Sequence, residues 1–138
     1  MNAAYLIKYG NAEKAFEIRE ADKPQPNPNQ VLIKVEAFGL NFADVMARLG
    51  LYKAAPPLPA ILGYDVVGKI EAIGTEVNHV KLGDRVIALT KFGGYAEFAL
   101  ADNEVVYKIP TSFSAGVAVA LATQYSTAYF LSHNMANL

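Results

Sequence analysis

Histidine occurs twice in this chain, at His79 and His133, and cysteine does not occur at all. Without cysteine there are no disulfides, thiolate nucleophiles, iron–sulfur clusters or cysteine-containing zinc sites. A zinc ion needs about four converging nitrogen, sulfur or oxygen donors. The two histidines lie far apart without partner spacing; His79 in EVNHVKLGD reads as a solvated loop residue and His133 as a helix-end residue. Metal catalysis is therefore not expected. No Gly-x-Gly occurs either, so the glycine turn that brings a backbone against a pyrophosphate is missing. What remains is neutral polar chemistry. Asn41, just before FADVMARL, has the type and place of a helix N-cap, and Tyr52 reads as an aromatic residue at a loop mouth. Asp44 and Arg48, four apart in the same helical segment, read as an exposed ion pair.

The elements that must hold these residues are mostly short strands. Asn2–Tyr9, Ala15–Glu20, Gln30–Phe38, Tyr64–Gly74, Asp84–Leu89, Tyr95–Leu100 and Glu104–Ile109 are runs of β-branched and aromatic residues punctuated by glycine and proline. Val31, Ile33 and Val35 alternate with Leu32, Lys34 and Glu36, the period of two expected when one sheet face is buried. Such a series of strands predicts a β-barrel or sandwich. KPQPNPN (Lys23–Asn29) and APPLPA (Ala55–Ala60) read as rigid connectors. Phe42–Gly50 reads as a short helix stopped by Gly50.

The chain has 138 residues and a formal charge of −1, so it suits one domain and lacks the basic field that nucleic-acid binding requires. The 30 residues after Lys108 carry no formal charge. Pro110, Thr111, Ser112 and Ser114 supply helix-start chemistry there. The polar group Gln124–Thr127 predicts a break between two helices and argues against a membrane span, which needs about 20 predominantly apolar residues. No export signal is visible at the first residues, and the absence of cysteine fits a reducing compartment, so a cytoplasmic location is expected.

Three ordered segments carry a family resemblance: AFGLNFADVMARLGLY (Ala37–Tyr52), GYDVVGKIEAIGTEV (Gly63–Val77) and KLGDRV (Lys81–Val86). Together they resemble the N-terminal, GroES-like catalytic domain of medium-chain dehydrogenases/reductases. Within that family they are similar to the zinc-independent quinone oxidoreductase group and its vesicle amine transport protein homologue branch. The resemblance implies a mainly β fold, a partly open GroES-like barrel with short helices and a helical C-terminus. In zinc-dependent relatives a cysteine stands where Asn41 is found, and His-Glu follows Gly63 where Tyr64 and Asp65 stand. Their four-cysteine lobe is reduced here to Thr90–Gly94. The resemblance thus implies no zinc.

It further implies a hydride-transferring enzyme that uses NADPH or NADH in its full-length form, with a quinone or enone as substrate. Asn41 and Tyr52 are implied as catalytic residues, Asn41 and Thr127 as cofactor contacts, and Tyr64 and Asp65 as substrate-cleft residues. An amide and a phenol suit this role, since each can hydrogen-bond a carboxamide or a developing enolate oxygen without ionising. Residues 1–122 are expected to form the GroES-like domain and 123–138 to begin the helix leading into a Rossmann domain that is absent. The chain alone is then expected to be inactive, and its uncovered helices to form a weak homodimer. Two other readings stand beside this one: a non-enzymatic vesicle- or membrane-associated binding protein of the same fold, and a co-chaperonin-like module, which the glycine motif and long uncharged tail fit poorly.

Overall fold

Gln30–Phe38, the longest alternating run, forms strand β3 at the centre of the molecule. A computed structural model describes residues 1–137. In chain order the elements are β1 (Asn2–Leu6), α1 (Ala12–Ala15), β2 (Phe16–Glu20), β3 (Gln30–Phe38), α2 (Phe42–Arg48), β4 (Ala60–Ile61), β5 (Asp65–Ile73), β6 (Arg85–Leu89), β7 (Phe98–Asp102), β8 (Val106–Lys108), α3 (Ala115–Ala120) and α4 (Ser126–Tyr129). All pairings are antiparallel, in a sheet ordered β7-β3-β5-β6-β8 and a smaller one ordered β2-β1-β4. The fold is the mainly β half-barrel with short helices that the sequence predicts.

Each of the predicted strand runs carries a strand, and the departures have local causes. Tyr95 and Ala96 fall outside β7 because their backbones face the other sheet: Tyr95 N–H donates to Leu62 O at 2.9 Å, and its carbonyl accepts Ala4 N–H at 2.8 Å. Ala3 and Ala96 form an isolated bridge, so this corner stitches the two sheets together. Ala60–Ile61, at the end of the proline-rich connector, forms β4 by pairing with Tyr5 and Leu6. The one-face burial expected of β3 holds only in its second half. Val31, Leu32 and Ile33 are all buried, because this end of the central strand is covered on both faces; Lys34 is exposed.

The core has three parts. Val31, Ile33, Val66, Ile70, Val86 and Val106 fill the half-barrel. Leu6, Ala15, Ala47, Leu62 and Tyr95 form a second cluster beneath α2, with Tyr52 and Phe92 packed against it. Val67, Ala118 and Val119 fasten α3 to the outside of β5, joined by Ala37 and Ile87.

The predicted break at Gln124–Thr127 does not occur. The backbone stays right-handed helical from Ala120 through Phe130, with π-type turns at Leu121–Tyr125 and Phe130–Met135. The polar residues are absorbed by the wider turn: Ser126 Oγ donates to Leu121 O at 2.7 Å, five residues back. Ser114 caps the start of this helix, accepting Val117 N–H at 3.3 Å. The domain boundary expected at 122/123 lies inside this continuous helix. Among the described residues no helix is long and apolar enough to cross a membrane.

Candidate functional site

The site begins at the turn between β3 and α2. Asn41 is extended (φ −111°, ψ 155°) and precedes the first residue of α2, the N-cap position expected of it. Its backbone N–H donates to Asp44 Oδ2 at 3.1 Å. Asp44 Oδ1 accepts the Gly63 N–H, also at 3.1 Å. One carboxyl group therefore ties the start of α2 to the turn before β5. Gly63 has φ +102°, and a Cβ there would come within 2.8 Å of the Tyr95 nitrogen, so the turn admits only glycine.

The exposed Asp44–Arg48 pair predicted from their spacing is absent. Asp44 is buried and turned inward to those two amides, while Arg48 donates to Gly10 O. Satisfying buried N–H groups outweighs an exposed helical ion pair, which is worth a few tenths of a kcal/mol. Burial pushes the Asp44 carboxyl above its usual range; the Asn41 and Gly63 amides and the Tyr95 hydroxyl oppose that rise, and the nearby Asp65 adds to it. The Tyr95 phenol is itself pushed up, first by burial and then by the Asp44 charge.

Asp65, expected in the cleft wall, is fully buried, one layer behind it. Asn41 Nδ2 donates to Asp65 Oδ1 at 3.0 Å. Its neighbour Tyr64 points elsewhere, into an aromatic wall. The Tyr52 and Tyr64 rings meet edge to face at 6.1 Å, and Tyr64 and Phe92 lie 5.1 Å apart. Burial raises the Tyr64 phenol, and its hydrogen bond with Tyr52 raises it further. The Tyr64 phenol thus stays neutral at ordinary pH.

Tyr64, Thr90, Lys91, Phe92 and Thr123 line a cavity of about 570 Å³. Its floor is held by Thr90, whose Oγ1 donates to Gly63 O at 2.8 Å and whose N–H donates to Tyr64 O at 2.8 Å. Lys91 has φ +63°, an uncommon conformation for a side chain of its size. Thr123 reaches the cavity from the C-terminal helix, and its buried hydroxyl has no hydrogen-bond partner. Thr127, one helical turn on, lines an adjoining pocket that Thr123 shares. Gln124 Nε2, 3.5 Å from Leu40 O, ties the helix to the residue before Asn41.

The structure thus assembles the sequence-predicted residues in two pairs, Asn41 with Asp65 and Tyr52 with Tyr64, and the field of Asp44 reaches both Asp65 and Tyr64. Thr127 joins through Thr123. Sequence reasoning missed Thr90, Lys91, Phe92 and Thr123. Thr123 carried a signal in its spacing of four from Thr127; the loop residues carried none. Asp44 also carried one, three residues after Asn41 as in a capping box. No group of three or more His, Cys, Asp or Glu among the described residues could hold a metal. His79 is exposed, with a ring nitrogen 3.1 Å from Val106 O, and the His133 ring packs at a tilt against Tyr129.

Residues 27–111 match the Alcohol dehydrogenase GroES-like domain. The chain belongs to this family. Within it, the chain is 42% identical over 130 residues to a quinone oxidoreductase from Lama guanicoe, a match covering 94% of the chain and 39% of that relative. The crystal structure of human synaptic vesicle membrane protein VAT-1 homolog-like protein superposes with a TM-score of 0.94 at 34% identity, over all of this chain and 44% of that one. Escherichia coli quinone oxidoreductase complexed with NADPH superposes with a TM-score of 0.88 at 29% identity, covering 95% and 40%. The chain therefore spans less than half the length of these relatives. The two named branches are those the sequence motifs resemble, and the GroES-like domain is the part of the relatives that this chain matches.

Proposed function

We propose that the chain is the catalytic-domain half of a zinc-independent, NAD(P)H-dependent quinone or enone oxidoreductase, with a cytoplasmic setting and little activity by itself. The observation that carries this is the cavity walled by Tyr64 and Phe92, with Thr123 at its edge and the Tyr52 ring against Tyr64. A flat conjugated carbonyl compound fits the aromatic part of this wall, Tyr64 and Phe92, while Lys91 and Asp102 on the same lining carry opposite charges. The amide and phenol where zinc-dependent relatives place ligands are poor zinc donors at neutral pH, which supports metal-independent chemistry.

The residues present also suit the nicotinamide end of a dinucleotide: Asn41 offers an amide and Thr127 a hydroxyl. Nothing in the described residues suits its pyrophosphate, since the glycine turn is missing. When bound, such a cofactor supplies the hydride. The chain's own part is to stack the acceptor between aromatic rings, exclude water from it and hold a proton at the Tyr52 hydroxyl. Tyr64, hydrogen-bonded to Tyr52, leaves the pair one phenol proton to offer the oxygen that gains charge; one such donor is worth about 3 kcal/mol of transition-state stabilisation.

The test is NADPH oxidation, with and without 1,4-benzoquinone, by the chain extended to the length of its relatives. Consumption of NADPH and quinone one for one is the expected result. An extended protein that binds NADPH yet leaves quinone untouched overturns the reading. A second reading, a vesicle-associated binding protein, draws on the VAT-1 likeness and on the exposed Tyr125, Tyr129, Phe130, Leu131 and Met135. Flotation with liposomes supports it if the protein rises with the lipid and removes it if the protein stays below.

A further inference from the structure

Asp65 is one of two described residues, with Thr123, that carry a buried side-chain atom without a hydrogen-bond partner. It is fully buried on β5, its Oδ2 has no hydrogen-bond partner, and none of the ion pairs found among the described residues involves it or Asp44. An unpartnered polar atom in a protein interior costs roughly 1–3 kcal/mol, and more when charged. A residue kept only for stability would be apolar here, as its neighbours Val66 and Val67 are.

The surroundings are nevertheless built to receive the carboxyl group. Gly39 faces it across the strand end, and a Cβ on Gly39 would collide with Oδ1. Gly39 N–H also donates to the Asp65 carbonyl at 3.1 Å, fixing that approach. Among the described residues, the one group that reaches Oδ1 as a donor is the Asn41 carboxamide, at 3.0 Å. A carboxylate accepts only, so the contact selects one of the two flips of that amide, with Nδ2 turned inward to Asp65. The Asn41 backbone is held at the same time by Asp44. Both ends of Asn41 are therefore pinned by buried acids before any ligand arrives, a preorganisation that a binding or catalytic amide needs.

We infer that Asp65 is a positioning residue for the cleft: from behind the wall it locks the Asn41 carboxamide in one orientation, at the expense of fold stability. This rests on the cleft reading above. It gives Asp65 a role distinct from contact with substrate, and it makes an unusual demand: replacing the acid by its amide, which keeps an acceptor for Asn41 Nδ2 but not the charge, loosens the Asn41 carboxamide without weakening the fold.

Asp65→Asn tests it in the chain itself, by NMR of the Asn41 side-chain amide together with thermal denaturation. The expected result is faster hydrogen exchange of the Asn41 side-chain protons, about fivefold as weakening a charge-assisted hydrogen bond to a neutral one gives, with the melting temperature unchanged or raised. Should Asp65→Asn fail to fold, Asp65→Ala carries the same exchange readout. Unchanged exchange in a folded variant overturns the inference, as does a large fall in melting temperature with the Asn41 signals in place, since that is what a purely structural acid gives. The cleft reading is checked separately by titrating the unmutated chain with 1,4-naphthoquinone. Shifts at Tyr52, Tyr64 and Thr123 support it; shifts absent there overturn the cleft, and with it any functional meaning of the locked amide, even if exchange responds as expected.

Discussion

The turn that gathers Asn41, Asp44, Gly63 and Asp65 and the helix over residues 115–135 treat their side chains in opposite ways. The turn is buried, polar and closely hydrogen-bonded; the second half of the helix is uncharged and exposed, with large apolar side chains among its polar ones, and from Leu121 onward it buries no residue fully. Apart from Asp65 Oδ2, the turn satisfies itself within the chain. The helix does not, and five large apolar side chains between Tyr125 and Met135 lie open to solvent. The contrast separates a turn closed within the fold from a helix face left open to solvent.

The largest effect is expected where the turn is broken. Asp44→Ala strands two buried amides, those of Asn41 and Gly63, and should lower stability by about 3 kcal/mol. Urea denaturation measures this, and a loss well under 1 kcal/mol would mean that water replaces the carboxyl group. By comparison, Tyr129→Ser in the exposed helix should stay within about 0.5 kcal/mol.

The two regions also differed in how far the sequence disclosed them. The strands were legible because β-branched runs between glycines and prolines leave few alternatives, and β3 matches its predicted bounds. The capping position of Asn41 was legible for the same local reason. The inward turn of Asp44 was not: spacing of four from Arg48 suggests an exposed pair, and only the tertiary approach of Gly63 makes the buried arrangement better. Asp65 was placed in the cleft because its position matched a family pattern, while its burial depends on Gly39 across the strand. The continuous helix was hidden because polar residues mark a break in sequence, whereas a π-type turn and the Ser126 hydroxyl accommodate them. Thr90, Lys91 and Phe92 join the site through a loop bracketed by hydrogen bonds to Ile61 and Gly63, which no sequence period records.

Exposure of the helix leads to the next expectation, a weak homodimer. Covering about 400 Å² of apolar area is worth about 10 kcal/mol before ordering and association costs, which cancel much of it. Light scattering across a concentration series should show the mass rise toward a dimer, and truncation after Gln124 should abolish the rise while leaving the denaturation midpoint of the barrel nearly unchanged. A dimer that survives truncation places the interface on the barrel instead.

A smaller effect separates the buried acid from ordinary surface acids. Because the folded-state pKa of Asp44 is raised, the folded chain binds its proton more tightly than the unfolded chain does. Stability contributed by this group is therefore greatest below the unfolded value of 3.8 and declines as pH rises from there through the raised folded value. The lowered carboxyls of Glu71, Asp84 and Glu97 work in the other direction, gaining stability as pH rises to the unfolded values. Asp44→Asn should remove only the declining component, so the difference between the two stability profiles, wild type minus variant, should slope downward just above pH 3.8. A flat difference would show that the amides around Asp44 offset its burial fully.

The smallest effect sharpens the comparison from the cavity side. Tyr52→Phe removes one hydroxyl, leaves the edge-on ring contact with Tyr64 in place and should change stability by no more than about 1 kcal/mol. Its consequence is electrostatic. The Tyr64 phenol is raised first by burial and next by its bond to Tyr52, so losing that bond should bring its titration down toward the ordinary tyrosine value of 10.0 without reaching it. Ultraviolet titration of Tyr52→Phe against the unmutated chain reads this directly. A Tyr64 curve that does not move would separate the two phenols electrostatically, leaving Tyr64 governed by burial and by the Asp44 charge, and Tyr52 would then act in the cleft alone.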